Sequence, residues 1–323
     1  MSILKIIQET HDFDHLNAIA TTNSTYVDAS RIDFGRYFSN NGQQSGSATW
    51  PAPAGNDLWV HWRGGQSTTT TQWDDRDLMR FYDSNLNPFM NMGVENGTLI
   101  FEIYGDTTSV TTAPTDITGH MYDLHMQKNG TTSITFTLYR DSVLHEGPIS
   151  VTNTADIDLP TRWVGRGIDD NGAGNWYFSE FLVADEDTRG WRIRMHDVAS
   201  FGAVSDWTGD ANAVALDTLE TSLRSNTLDQ RTAFGLNRLE SIPSGAVIDR
   251  VVIQSYAQRG ATGLASFNHF FRWEDTTIVD DADIALSVNG GLYVDEYPTS
   301  PDTALAWTDV EMQGLQFGVR ART

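Results

Sequence analysis

Apolar and polar positions along this chain alternate mostly with period two, in short runs separated by Gly, Asn, Asp, Ser and Thr. That is the pattern of strands with one packed face rather than of amphipathic helices. The segments PFMNMGVENGTLIFEIYG (88–105) and MYDLHMQKNGTTSITFTLYRD (121–141) each hold an Asn-Gly dipeptide between two such runs. Asn and Gly tolerate the positive φ of tight turns, so both segments predict antiparallel hairpins, turning at Glu95 to Gly97 and at Asn129 and Gly130. In the second hairpin Ile134, Phe136 and Leu138 form the apolar face, and Thr135, Thr137 and Tyr139 the opposite one.

SVLHEGPISVT and TRWVGRG continue the strands, and WYFSEFLVADEDTRGWRIRMHD (176–197) predicts a strand to Ala184, an acidic turn and a return strand WRIRM. Roughly ten to twelve strands before residue 197, against about five or six in a usual sheet, require two packed sheets. Alternation lapses near Ser200 and then resumes, which places a domain joint there. Three parts follow: 1–48, either an attachment segment or part of the first sandwich, then 49–199, a jelly roll, and 200–323, a smaller C-terminal β-sandwich. In the last part Val247, Asp249, Val251 and Ile253 interleave with Ile248, Arg250, Val252 and Gln254, predicting a central strand. Thr308 is placed to cap a helical turn over Asp309 to Met312, with Glu311 at the capping-box position.

Composition narrows the function classes. At 323 residues the chain is long enough for two domains with real cores. Its 43 acidic and 21 basic side chains give a net charge of −22, a field that repels phosphate, so nucleic acid is not an expected partner. With no cysteine there is neither a disulfide framework nor a thiolate metal site. The first residues, MSILKIIQETHDFDHLN, contain an apolar run too short for a secretory signal, and no window reaches membrane-spanning length. The expectation is a protein made and used without export, with no membrane insertion.

The hairpin LYRDSVLHEG (138–147), with Ser142 where Gly is usual, followed by WVGRG and WYFSEFLVADEDTRG, resembles the concanavalin A-like, laminin-G-like jelly roll over about residues 50–195. Together with SDWTGD, PSGAVIDRVVIQSYAQRGATG and AWTDVEMQGLQFGVRAR, it resembles accessory virion proteins of tailed bacteriophages, in which a jelly roll precedes a smaller β-sandwich. The resemblance implies a structural or host-recognition role on a particle assembled in the host cytoplasm. Its partners would be copies of itself, as a trimer, other virion proteins and host-surface glycan. It brings no catalytic residues with it.

The spacing of the acids argues against a catalytic pair. Jelly-roll glycosidases present acids at i, i+2 and i+4 of one strand, whereas Asp185, Glu186 and Asp187 are consecutive and Glu180 lies further down the strand. Asp185, Asp187 and Arg189 are therefore expected to shape a turn, and no catalytic residue is assigned. A polysaccharide depolymerase drawing on acids in the 169–187 region is the alternative. The Gly-rich loop IDDNGAGN offers Asp169, Asp170, Asn171 and Asn175 as hard oxygen ligands for calcium, the one cofactor considered. His11 with His15, and His120 with His125, lack a recognisable ligand frame. Without a G-x-S-x-G elbow or a P-loop, the sequence signals neither a serine hydrolase nor a nucleotide site. Among the aromatics, Trp59, Trp62, Trp73, Trp163 and Trp176 are candidate glycan platforms. Trp73, in a polar loop beside Asp74 and Asp75, and Trp62 form the glycan-binding set.

Overall fold

Extended backbone sends successive side chains to opposite faces, and in this chain that alternation builds two β-sandwiches. The structure, a computed structural model, describes residues 3–7, 15–16, 36–38, 45–66, 74–95, 98–103, 109–114, 120–152, 156–166, 176–193, 198–209, 222–236, 245–261, 263–273 and 277–323. It divides into two units, Met1–Arg194 and Met195–Thr323.

The first unit holds β1 (Ile3–Ile7), β2 (His15–Leu16), β3 (Arg36–Phe38), β4 (Ser45–Thr49), β5 (Asp57–Gln66), β6 (Asp74–Tyr82) and β7 (Pro88–Glu95). These are followed by β8 (Thr98–Ile103), β9 (Ser109–Pro114), β10 (His120–Asn129), β11 (Ser133–Arg140), β12 (Val143–Thr152), β13 (Arg162–Arg166) and β14 (Trp176–Ala184). One antiparallel sheet runs β1-β14-β5-β10-β11-β12 with β3 also on β14, and the other runs β2-β4-β13-β6-β7-β8-β9. Leu58, Val60 and Trp62 of β5, Tyr122, Leu124 and Met126 of β10, and Ile134, Phe136 and Leu138 of β11 fill one side of the core. Met79, Phe81, Met90, Met92 and Trp163 fill it from the opposite sheet. The apolar face read from β11 is thus the packed one. Trp62 and Trp163, 1% and 0% exposed, sit at its centre, each bringing roughly 4–6 kcal/mol of apolar burial before entropy is charged.

Both predicted hairpins form, as β7–β8 and β10–β11. The second closes through three residues, Gly130 to Thr132, with Gly130 at φ +76°. The β11–β12 turn places Asp141 and Ser142 at φ 51° and 67°, the two positive angles of a type I′ turn, which Ser142 adopts in place of glycine. Residues 1–48 contribute to the sandwich: β1 pairs with β14, and β4 with β13.

Two expectations are corrected. The return strand WRIRM does not form over residues 191–193, which join no ladder. Nor is 247–254 a central strand: residues 245–250 are irregular and Val247 is 88% exposed.

The second unit contains β15 (Val198–Ser205), β16 (Arg231–Leu236), β17 (Val251–Ala257), β18 (Ser266–Arg272), β19 (Ile278–Asp280), β20 (Ile284–Ala285), β21 (Gly291–Tyr297), α1 (Asp309–Gln313) and β22 (Gln316–Arg322). A six-stranded sheet, β15-β16-β22-β18-β19 with β20 on β18, faces the two-stranded ladder β17-β21. Ile253 and Tyr297 of the ladder pack with Phe271, Trp273, Trp307 and Leu315. At α1, Thr308 Oγ1 accepts from Glu311 N at 3.1 Å. The Glu311 carboxylate accepts from Ser300 Oγ, so the capping box closes on one side only.

Candidate functional site

The face of the first sheet turned away from the core carries the candidate site. Because Leu58, Val60 and Trp62 point inward, Asp57, Trp59, His61 and Arg63 point outward, and the β5–β10 register sets them against Gln127, His125, Asp123 and Met121 in that order. Each rung makes a side-chain contact. Gln127 Nε2 donates to Asp57 Oδ1 at 3.2 Å, and the Trp59 and His125 rings stack at 4.2 Å. His61 Nδ1 meets Asp123 Oδ1 at 2.6 Å, and Arg63 reaches the Met121 sulfur at 4.0 Å.

The acidic turn after β14 lies over this face. Thr188 Oγ1 donates to Asp123 Oδ1 at 2.8 Å, and the Arg189 guanidinium sits 4.5 Å from the Tyr139 ring centroid and 5.5 Å from that of Trp59. Asp187 accepts from the Arg189 amide at 3.0 Å and takes its guanidinium at 2.5 and 2.9 Å. The side-chain hydrogen bond from Arg189 leads the causes that hold Asp187 below the usual carboxylate range. Asp185 is half-buried at the start of the same turn. Under this cover His61, Asp123 and Thr188 are all 0% exposed.

Glu180 joins them through a bulge. The β14–β5 register slips between Ser179 and Leu182, and Glu180 takes φ +51°, a left-handed angle that costs a non-glycine residue about 1–3 kcal/mol. Its carboxyl is 1% exposed and takes a long contact, 3.4 Å, from the Ile193 amide. Burial pushes it above the ordinary glutamate range, against the pull of His61, the Ile193 amide, Arg192 and Arg63. Glu180 Oε1, His61 Nε2 and Asp123 Oδ2 are buried without a hydrogen-bond partner. Such a strained, desolvated group is a signature of function, but here it is sealed from substrate.

Beyond the turn the sheet face is open. Asn129 Nδ2 donates to Thr135 Oγ1 at 2.7 Å, and Thr135 Oγ1 shares a hydrogen bond with Ser150 Oγ at 2.8 Å. Gln127, Asn129 and Ser150 are exposed, and Asp57 keeps 43% of its side chain in solvent while accepting from His125 Nε2 at 2.8 Å. Carboxylate, amide and hydroxyl groups are thereby arrayed in columns beside the Trp59–His125–Tyr139–Arg189 stack.

Of the residues singled out in sequence, Asp187 and Arg189 come together with the site, while Trp62 does not. Trp62 is in the core against Tyr122, ring centroids 5.3 Å apart, and Trp163 lies against Phe181, so neither offers a face to sugar. Trp59 does lie on the outer face, but at 6% exposed beneath Arg189 it has no free ring face either. Trp73 and the calcium set Asp169, Asp170, Asn171 and Asn175 lie outside the described residues, as do the side chains of Asp74 and Asp75. His120 binds Asp141 at 2.6 Å rather than sharing a partner with His125. Among the described residues no group of three His, Cys, Asp or Glu side chains is placed to hold a metal ion. His61 and Asp123 carry no sequence signal, being joined only by a register spanning 62 positions.

No family model matches the chain, and no curated protein matches it. Solved structures similar to it include an endo-β-1,4-glucuronan lyase from the fungus Trichoderma reesei, at 8% identity and TM-score 0.41, covering 58% of this chain and 96% of that one. The receptor-binding domain of a botulinum neurotoxin C/D mosaic serotype matches at 11% identity and TM-score 0.41, covering 81% and 75%. A botulinum neurotoxin serotype D ligand-binding domain, solved with N-acetylneuraminic acid, matches at 10% identity and TM-score 0.37, covering 75% and 68%.

Proposed function

We propose that the first sandwich is a glycan-binding module and that the protein works as a surface-exposed accessory or host-recognition component of a bacteriophage particle. The observation that carries the binding reading is the open polar face made by Asp57, Gln127, Asn129, Thr135 and Ser150. Sugar hydroxyls exchange readily with such side-chain hydrogen bonds, and the neighbouring aromatic stack, covered by the Arg189 guanidinium, bounds the face on one side. A net charge of −22 selects neutral glycans over polyanionic ones. The virion role rests on the motif resemblance and accords with weak single sites made tight by repetition, as in a trimer.

A glycan array probed with the full chain tests the binding reading. Neutral glycans are expected to bind, and Gln127→Ala with Ser150→Ala to weaken binding about tenfold, the value of one or two lost hydrogen bonds. No bound glycan, or binding unchanged in that variant, overturns it. Mass spectrometry of purified particles tests the virion role separately, and absence of the chain from particles removes it. Light scattering that returns a monomer removes the trimer.

A polysaccharide depolymerase is the competing reading, and the strained, desolvated Glu180 favours it. The 1% exposure of that carboxyl weighs against it. Release of reducing ends that disappears in Glu180→Gln would establish cleavage, and no release would remove it.

A further inference from the structure

The second sandwich holds a Ser-His-Asp constellation that no sequence motif announces. On β17, Val251, Ile253 and Ser255 share the face turned toward the six-stranded sheet, as Tyr293, Asp295 and Tyr297 do on β21, where Asp295 is the register partner of Ile253. From β18 opposite, His269 reaches both: Asp295 Oδ2 accepts from Nδ1, and Ser255 Oγ lies 2.8 Å from Nε2. An ionised Asp295 fixes the proton on Nδ1, which leaves the Nε2 lone pair facing the serine hydroxyl. Phe267, packed edge-on at 5.1 Å, holds the ring.

We propose that Ser255, His269 and Asp295 form a nucleophilic site that hydrolyses short-chain carboxylic esters. Two features separate it from a buried structural knot. The hydrogen bonds run in catalytic order, hydroxyl to base and base to acid, which is recognised by geometry and not by position in the chain. The network is partly open at both ends: the His269 ring is 0% exposed, whereas Ser255 is half-buried and Asp295 keeps 24% of its side chain in solvent. A purely structural staple has no need to leave its ends within reach of solvent.

The chemistry balances without a cofactor. Ser255 Oγ bonds to the acyl carbon as its proton passes to His269 Nε2. The tetrahedral adduct then expels the alcohol, which takes that proton. Water attacks the acyl-serine, gives one proton to Nε2 and releases the carboxylic acid, and Nε2 returns the proton to Ser255. Asp295 acts as a positioning residue. Ser255 is half-buried, which favours a small acyl group, and the strongly acidic surface disfavours anionic esters.

The test treats the intact, folded chain with a fluorophosphonate probe and maps the adduct by mass spectrometry, alongside hydrolysis of p-nitrophenyl acetate. A single adduct on Ser255 is expected, with both reactions lost in Ser255→Ala. Asp295→Asn should slow labelling by at least about 100-fold, and Asp295→Glu should recover part of it. Because labelling is read on the unaltered chain, a variant that fails to fold does not spare the proposal. No adduct on Ser255, an adduct shared equally with other serines, or labelling unchanged in a folded Asp295→Asn overturns it.

Discussion

Replacing Thr188 by valine tests whether the acidic turn is clamped to the sheet through Asp123. Thr188 is 0% exposed and its hydroxyl donates to a carboxylate that is itself buried. Valine keeps nearly the same shape, so what is lost is one hydrogen bond to a charged acceptor, worth about 1.5–3 kcal/mol. Asp123 Oδ1 would retain His61 alone. Urea unfolding, fitted as two transitions because the chain has two units, should show the first unit's midpoint falling by about 1 M for a slope near 2 kcal/mol per M. The Trp191 amide, which donates to the Thr188 carbonyl at 3.0 Å, should exchange its hydrogen faster. In an Asp123→Asn background the acceptor is neutral, so the same valine should cost about half as much. A cost below about 0.5 kcal/mol, or an equal cost in both backgrounds, refutes the clamp, since the loss expected for a hydrogen bond to a charged acceptor lies well above that.

Glu180→Gln should stabilise the first unit in a pH-dependent way. The folded-state pKa of Glu180 is raised, so the folded chain holds its proton more tightly than the unfolded chain does. Below the unfolded value the two states are matched; as pH rises from there through the folded value, the native protein loses stability that glutamine does not lose. Midpoints of the two proteins should therefore separate as pH rises, and parallel curves would contradict the assignment. Gly318→Ala should destabilise the second unit by about 3 kcal/mol, because a Cβ there would lie 2.4 Å from both the Thr232 carbonyl oxygen and the Phe270 ring. Calorimetry should show the first unit's transition unmoved.

Local pattern carried the strands well and their partners poorly. The alternation of Ile134, Phe136 and Leu138 named the packed face of β11 correctly, because one face there is wholly apolar. On β5 the same rule is masked: Trp59 and Trp62 are both large aromatics, yet opposite parity sends one outward and the other into the core. The strand read across 247–254 began too early, since hydrophobic letters without a facing layer do not make a strand, and Val247 has none. The acidic turn was legible through the Asp187–Arg189 spacing. Its docking on Asp123 was not, because 65 positions separate Thr188 from its acceptor. The helix cap at Thr308 was legible because every participant lies within one turn.

The two buried His-Asp pairs show why residue types alone do not assign chemistry. Each sandwich sets a fully buried histidine against an aspartate and adds a hydroxyl residue as third member. In the first sandwich the hydroxyl of Thr188 donates to the acid, on the same oxygen that His61 uses. The base's far nitrogen then has no hydroxyl to deprotonate, and all three residues are closed off from solvent. In the second the hydroxyl of Ser255 sits on the base's far nitrogen, and the serine is half-buried rather than sealed. The order of the same three groups turns one network into a fastening between turn and sheet and gives the other a path for the proton of a nucleophile. Sequence spacing cannot distinguish the two, because in both the order is fixed by strand register and by which layer each face meets.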